Sequence, residues 1–210
     1  SRFTMAFPDV PWIFVFRDTV EILQSHLKQG SNAVPKVCTR SYRLPEEQQP
    51  VTTLKAIRDA GASLSDLDHV QYCAAHLAGL SLAALNEHDR GTRNGNETKQ
   101  KQKQKTGTAR SKDKGNGRFV EYTQLPERLW EEILPDHFGL GPLSQNDMEH
   151  LQLVSGVYSK GRGSKRKQEW AEDSTEKQET ASQEVTDAAN RFAGKIYQRM
   201  NQLALSSSSS

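Results

Sequence analysis

The run VPWIFVF at residues 10–16 constrains this chain more than any other part of it. Seven consecutive apolar residues suit a strand buried on both faces of a parallel sheet, because a half-exposed strand would alternate with polar positions. A parallel strand needs a crossover, and a helix follows at once. Asp18, with Glu21 three residues on, forms a capping-box-like start, and Val20, Leu23 and Leu27 repeat at helical spacing. Arg17 therefore stands at the carboxyl end of the strand and just ahead of a helix N-terminus. Open parallel sheets take their ligands at that end, and the unpaired N–H groups and dipole of the helix favour an anion there. Ser25 falls two turns into the helix on the face of Asp18, about 10 Å along the axis. An arginine reaching along that face can share one phosphate with the serine hydroxyl. The alternative is that Arg17 only pairs with Glu21 or Asp18.

The rest of the chain supplies helices and one more strand. Ser65 and Asp68 read as the opening of a second helix, whose face is Leu67, Val70, Ala74, Leu77, Ser81 and Ala84, small enough for close packing. Short elements are expected around residues 34–39 and 51–60. Residues 90–117, RGTRNGNETKQKQKQKTGTARSKDKGNG, hold no apolar residue except Ala109 and read as a disordered basic insertion. Order is expected to resume with an alternating strand at residues 118–122. A helix follows, with Pro126 in its first turn, Leu129, Trp130 and Ile133 as its buried side, and Pro135 as its stop. Ser144 and Asp147 cap a short helix that ends near Gly156. Val185, Ala189, Phe192, Ile196, Met200 and Leu203 make a long amphipathic C-terminal helix, and residues 206–210 are a solvated tail. Strands alternating with helices argue for an α/β domain over residues 1–89 and 118–205, without internal repeats.

Composition narrows the function classes. The hydrophobic fraction is 34%, low for a wholly packed chain, which fits an unpacked insertion. Net charge is +2, so global charge favours no nucleic-acid partner. Cys38 and Cys73 lack metal-ligand spacing and read as two buried thiols. No apolar stretch is long enough to span a bilayer, and no leader-like segment opens the sequence.

The spacing from Arg17 to Ser25 resembles the 3′-phosphate-binding motif of sulfotransferases. That motif is an apolar strand ending in Arg, then Asn or Asp, usually Pro, a variable residue, an acid, three more residues and Ser. Here it reads Arg17, Asp18, Thr19, Val20, Glu21, Ile22, Leu23, Gln24, Ser25, and only Thr19, in place of the proline, departs from it. The order of later features agrees, with a helical middle, a strand ending near a tyrosine in FVEYTQLP, and a short helix in WEEILPDHFGL. The resemblance implies a three-layer sandwich, a parallel sheet flanked by helices as in P-loop NTPases, here incomplete at the N-terminus. It also implies 3′-phosphoadenosine-5′-phosphosulfate (PAPS) as co-substrate, no metal, and sulfuryl transfer to a hydroxyl or amine acceptor.

The family carries a Gly-rich basic loop that closes over the nucleotide. The matching stretch is YSKGRGSKRKQEW at residues 158–170, in which Lys160, Gly161, Arg162, Gly163, Lys165 and Arg166 are the candidate phosphate ligands. The order is looser than the family's, and a solvated basic loop balanced by the acidic stretch after it is the competing reading. The loop for the 5′-phosphosulfate and the catalytic base lie upstream in the family, so no catalytic residue is assigned. The six histidines do not supply one: His26 and His76 lie within helices, His69 and His150 at helix edges, His88 beside the insertion and His137 in a loop. Two other readings stand beside the enzyme: a non-catalytic homologue, and a polyanion- or nucleic-acid-binding module using the KQKQKQK run. That run lacks the interleaved aromatics expected for base stacking. The family works in the cytosol and in the Golgi lumen, and the sequence does not choose between them.

Overall fold

The computed structural model describes residues 10–27, 38, 41–42, 44–102, 116–125, 127–141, 143–155 and 174–206. In chain order the elements are β1 (Trp12–Phe16), α1 (Thr19–Leu27), α2 (Val51–Asp59), α3 (His69–Gln102), β2 (Gly117–Glu121), a π-helix (Leu129–His137), α4 (Gln145–Ser155), α5 (Ser174–Glu179) and α6 (Gln183–Ser206). β1 and β2 pair in parallel, with Trp12 opposite Gly117 and Phe16 opposite Glu121. The architecture is mostly helical around this small parallel pair, and so broadly α/β.

The apolar run forms the expected strand, but its two faces differ. Trp12, Phe14 and Phe16 share one face, where each ring meets Phe119 of β2 edge-on at 5.8–6.3 Å between centroids. Phe16 and Phe119 are buried there with Ala84 and Leu85 of α3 and Met200 and Ala204 of α6. Val15 points the other way and is 40% exposed. Among the described residues, α3 and α6 cover one face of the pair, while on the other Val120 of β2 is fully buried although its partner Val15 stays partly open.

The larger core lies between helices. Leu23 of α1, Ala56 and Ile57 of α2, Val70, Cys73, Ala74 and Ala78 of α3, and Val185, Ala189 and Phe192 of α6 form one buried cluster. The stripes read at helical spacing on α3 and α6 are the faces that meet. Small residues on α3 let its neighbours approach closely: a Cβ on Gly79 would sit 2.7 Å from the backbone nitrogen of Thr53 in α2. Cys38 and Cys73 are both free thiols buried in this cluster. The neighbouring Cys38 sulfur and burial push Cys73 upward, which keeps it protonated.

Three helix boundaries differ from the sequence reading, each for a local reason. α3 opens one cap later than expected. Asp68 Oδ1 accepts from the Gln71 N–H at 2.8 Å while Gln71 Oε1 accepts from the Asp68 N–H at 3.3 Å, a reciprocal box that leaves Ser65 in a preceding 3-10 turn. At its other end α3 passes Arg90 and runs to Gln102, so the polar segment starts as helix. Lys, Gln and Arg are good helix formers, and low hydrophobicity alone does not end a helix. Residues 103–115 lie outside the described set.

Pro135 does not end its helix but lies inside the π-helix. Proline lacks an N–H and its ring clashes with the carbonyl four residues back, and a wider turn relieves both defects. The Phe138 N–H accordingly bonds to Ile133 O at 3.0 Å, five residues back. Gly139, at φ +66°, then turns the chain out of the helix, and the Leu140 N–H caps Leu134 O at 3.0 Å. His137 closes this helix instead of lying in a loop, and its Nε2 is 3.0 Å from Trp12 O of β1. By contrast, Ser144 and Asp147 form the expected box on α4, with Ser144 Oγ accepting from the Asp147 N–H at 3.2 Å.

Two measurements check this packing. Gly79→Ala should destabilise the chain by about 1–3 kcal/mol, because the methyl meets the α2 backbone. Gly194→Ala, in a helix where an added Cβ meets nothing within 4 Å, should stabilise it by about 0.5–1 kcal/mol in the same urea titration.

The second concerns pH. His76 is buried against Tyr72, its Nδ1 has no partner, and burial holds it below its ordinary pKa of 6.5. The unfolded chain takes up the proton first, so stability should be full above pH 6.5 and fall as pH drops from there through the folded pKa. His76→Phe should flatten the melting temperature across pH 6.5–5, apart from the slope that His137 contributes, which burial also lowers.

Candidate functional site

The site begins where β1 stops. Asp18 caps α1 by accepting from the Val20 N–H at 2.7 Å, and the Ile22 N–H bonds to Asp18 O at 3.2 Å. Glu21 does not complete the capping box. It turns inward, is 3% exposed, and its Oε2 accepts from Arg17 Nε while its Oε1 accepts from Gln178 Nε2 at 2.7 Å. A buried carboxylate needs such partners to remain charged.

Arg17 is correspondingly well fixed. Its Nη2 donates to Ser174 Oγ at 2.9 Å, and its guanidinium carbon lies 5.1 Å from the centroid of Tyr122, the residue that follows β2. Two parallel strand ends therefore deliver Arg17 and Tyr122 side by side, next to the capped end of α1. α5 is fastened to the same place, because Gln178 holds Glu21 and, just beyond the helix, Thr180 accepts from Gln24 Nε2 through its carbonyl at 2.9 Å and its hydroxyl at 3.2 Å.

The surroundings are rich in carboxylates. Tyr197 of α6, packed on Phe16 at 5.7 Å, is raised above its ordinary pKa first by burial and then by the charges of Asp18, Glu121 and Glu21. Arg17 alone does not make this end of the sheet positive. A phosphate bound here needs more cationic groups than the described part supplies.

The structure thus joins Arg17 to Glu21, Ser174 and Tyr122. Ser25 lies half-buried on α1, and among the described residues no hydrogen bond joins it to Arg17. Lys160, Gly161, Arg162, Gly163, Lys165 and Arg166 lie outside the described residues. Ser174 and Gln178 escaped the sequence reading because EDSTEKQE looks like a solvated acidic stretch, and nothing in its spacing points 157 residues back to Arg17 and Glu21. Cys38 belongs to the helical core. Among the described residues no group of three or more His, Cys, Asp or Glu is placed to hold a metal ion, and no helix is long and apolar enough to cross a membrane.

Comparison with protein-family models, with curated proteins and with solved structures finds no match for this chain. The site is therefore argued from its own geometry.

The Arg17–Glu21 pair can be tested by a double-mutant cycle. Arg17→Met leaves the Glu21 carboxylate buried without its cation and should cost about 3–5 kcal/mol in urea denaturation. Adding Glu21→Gln should recover a substantial part of that loss, since the uncompensated charge is then gone.

Proposed function

We propose that this chain is a sulfotransferase-like protein that binds the 3′-phosphate of PAPS, or of its product adenosine 3′,5′-bisphosphate, at the end of β1. One observation carries the reading: a parallel strand pair ends in Arg17 and Tyr122 beside the capped N-terminus of a helix that bears Ser25. That is the end at which parallel sheets take phosphates, and Arg17 is the residue type suited to a bidentate grip.

The Arg17–Glu21 contact supports the reading instead of cancelling it. A guanidinium carries five N–H donors in a fixed fork. Glu21 takes Nε and Ser174 accepts from Nη2, and a fork held in place by such contacts loses little entropy on meeting an anion. The anion would then add the Ser25 hydroxyl. Lys160, Arg162, Lys165 and Arg166, with close backbone approach at Gly161 and Gly163, would bring the further positive charge that a carboxylate-rich surrounding demands. In this reading β1 and β2 belong to a three-layer sandwich. On this reading a sulfuryl group would pass from PAPS to a hydroxyl or amine, with catalysis resting on positioning and charge neutralisation. No residue of this chain is assigned as the base.

Thermal shift with matched nucleotides tests the proposal. Adenosine 3′,5′-bisphosphate should raise the melting temperature more than AMP does, and equal shifts would overturn the reading. Ser25→Ala, which breaks no described hydrogen bond, should narrow the gap between the two ligands while leaving the AMP shift as it is.

A further inference from the structure

Ser174 is the residue at this site whose chemistry is least accounted for by the fold. It is 9% exposed, and its hydroxyl accepts from Arg17 Nη2 at 2.9 Å. A serine hydroxyl has a proton to give as well as lone pairs to receive with. Among the described residues, nothing accepts the proton of Ser174. A hydroxyl that receives a hydrogen bond from a cation is also a stronger donor, because the two bonds polarise each other. The position thus offers a buried donor beside a guanidinium, which is what an anionic oxygen seeks.

Its placement is built and not incidental. α5 is tied to α1 by the Gln178–Glu21 bond at 2.7 Å, and Thr180 just after it by the Gln24 bond at 2.9 Å, so Ser174 is held to Arg17 by contacts at the far end of its own short helix. The order of the chain matters too, since Ser174 comes shortly after the basic stretch at residues 158–170.

We propose that Ser174 is a direct ligand of the anion bound at Arg17, donating its hydroxyl proton to a phosphate oxygen, with Gln178 as the positioning residue that holds it there through Glu21. The inference rests on the reading of Arg17 as a phosphate-binding residue, and it adds a ligand from a different part of the chain.

The experiment is isothermal titration of the full chain with adenosine 3′,5′-bisphosphate and, separately, with AMP. Wild type is compared with Ser174→Thr, Ser174→Val, Ser174→Ala and Ser25→Ala, each checked by a melt without ligand. Thr and Val have nearly the same shape and differ in the hydroxyl, so their comparison holds packing constant even where the alanine variant is destabilised. Ser174→Thr should bind the bisphosphate within about two-fold of wild type. Ser174→Val should bind it about ten-fold or more weakly, the loss expected for one hydrogen bond to a charged group. AMP affinity should be the same for both. Equal bisphosphate affinity in the Thr and Val variants would overturn the role of Ser174. If that equality came with a loss in Ser25→Ala, the phosphate reading would stand without it. If wild type did not prefer the bisphosphate to AMP, the reading itself would fall. Gln178→Leu should weaken bisphosphate binding, and more so in the wild-type background than in Ser174→Val, because a positioning residue has less to position once the hydroxyl is gone.

Discussion

A carboxylate withdrawn from water must find a cation and hydrogen-bond donors or give up its charge, and Glu21 sits under that constraint. Its solution organises the whole end of the sheet. Arg17 is drawn onto one oxygen and Gln178 onto the other, so the residue just after β1, the first turn of α1 and the helix α5 share a single buried charge. Tyr122 lies against the guanidinium and closes the arrangement from β2. Had Glu21 completed the capping box, it would have stayed at the surface, and Arg17 would have lost its carboxylate anchor.

This arrangement stands on a simpler one. α3 and α6 run through both buried clusters, closing on α1 and α2 at one end and on Phe16 and Phe119 at the other. The strand pair is therefore held by its aromatic face: Phe119 meets three rings of β1, and Phe16 in turn meets Tyr197. The π-helix is bound to this frame by charge. Arg118 of β2 donates to Glu132 at 2.7 Å, Arg128 donates to the same carboxylate at 2.8 Å, and Arg128 also donates to Ala204 O of α6 at 3.0 Å. Strand ends set in so rigid a frame can hold a guanidinium to within a fraction of an ångström, which recognition of a phosphate requires.

The functional reading follows from how this rigidity and the charge balance fit together. Acidic groups around Arg17 prevent it from being an indiscriminate anion trap. On the proposed reading, binding would depend on several donors meeting at once, the guanidinium and the hydroxyls of Ser25 and Ser174 among them. Such a site would discriminate by the position of a phosphate on the ligand and not merely by its charge.

The sequence by itself determined the local elements and their buried faces. VPWIFVF could only be a strand, the helical stripes on α3 and α6 were bound to meet a core, and the pair Ser144 and Asp147 was bound to cap α4, because these depend on neighbours within a few residues. It also placed Arg17 at the strand end, where an anion is favoured. Tertiary structure decided the rest. Glu21 looked like a capping residue and became the partner of Arg17, since a carboxylate on the inner side of α1 meets a guanidinium before it meets a free N–H. Pro135 looked like a stop and was absorbed by a wider turn. Ser174 and Gln178 gave no sign at all, because side chains 157 residues away from their partners become neighbours only when α5 packs on α1. Periodicity records which face of a helix is buried, while the identity of what lies against it is written nowhere along the chain.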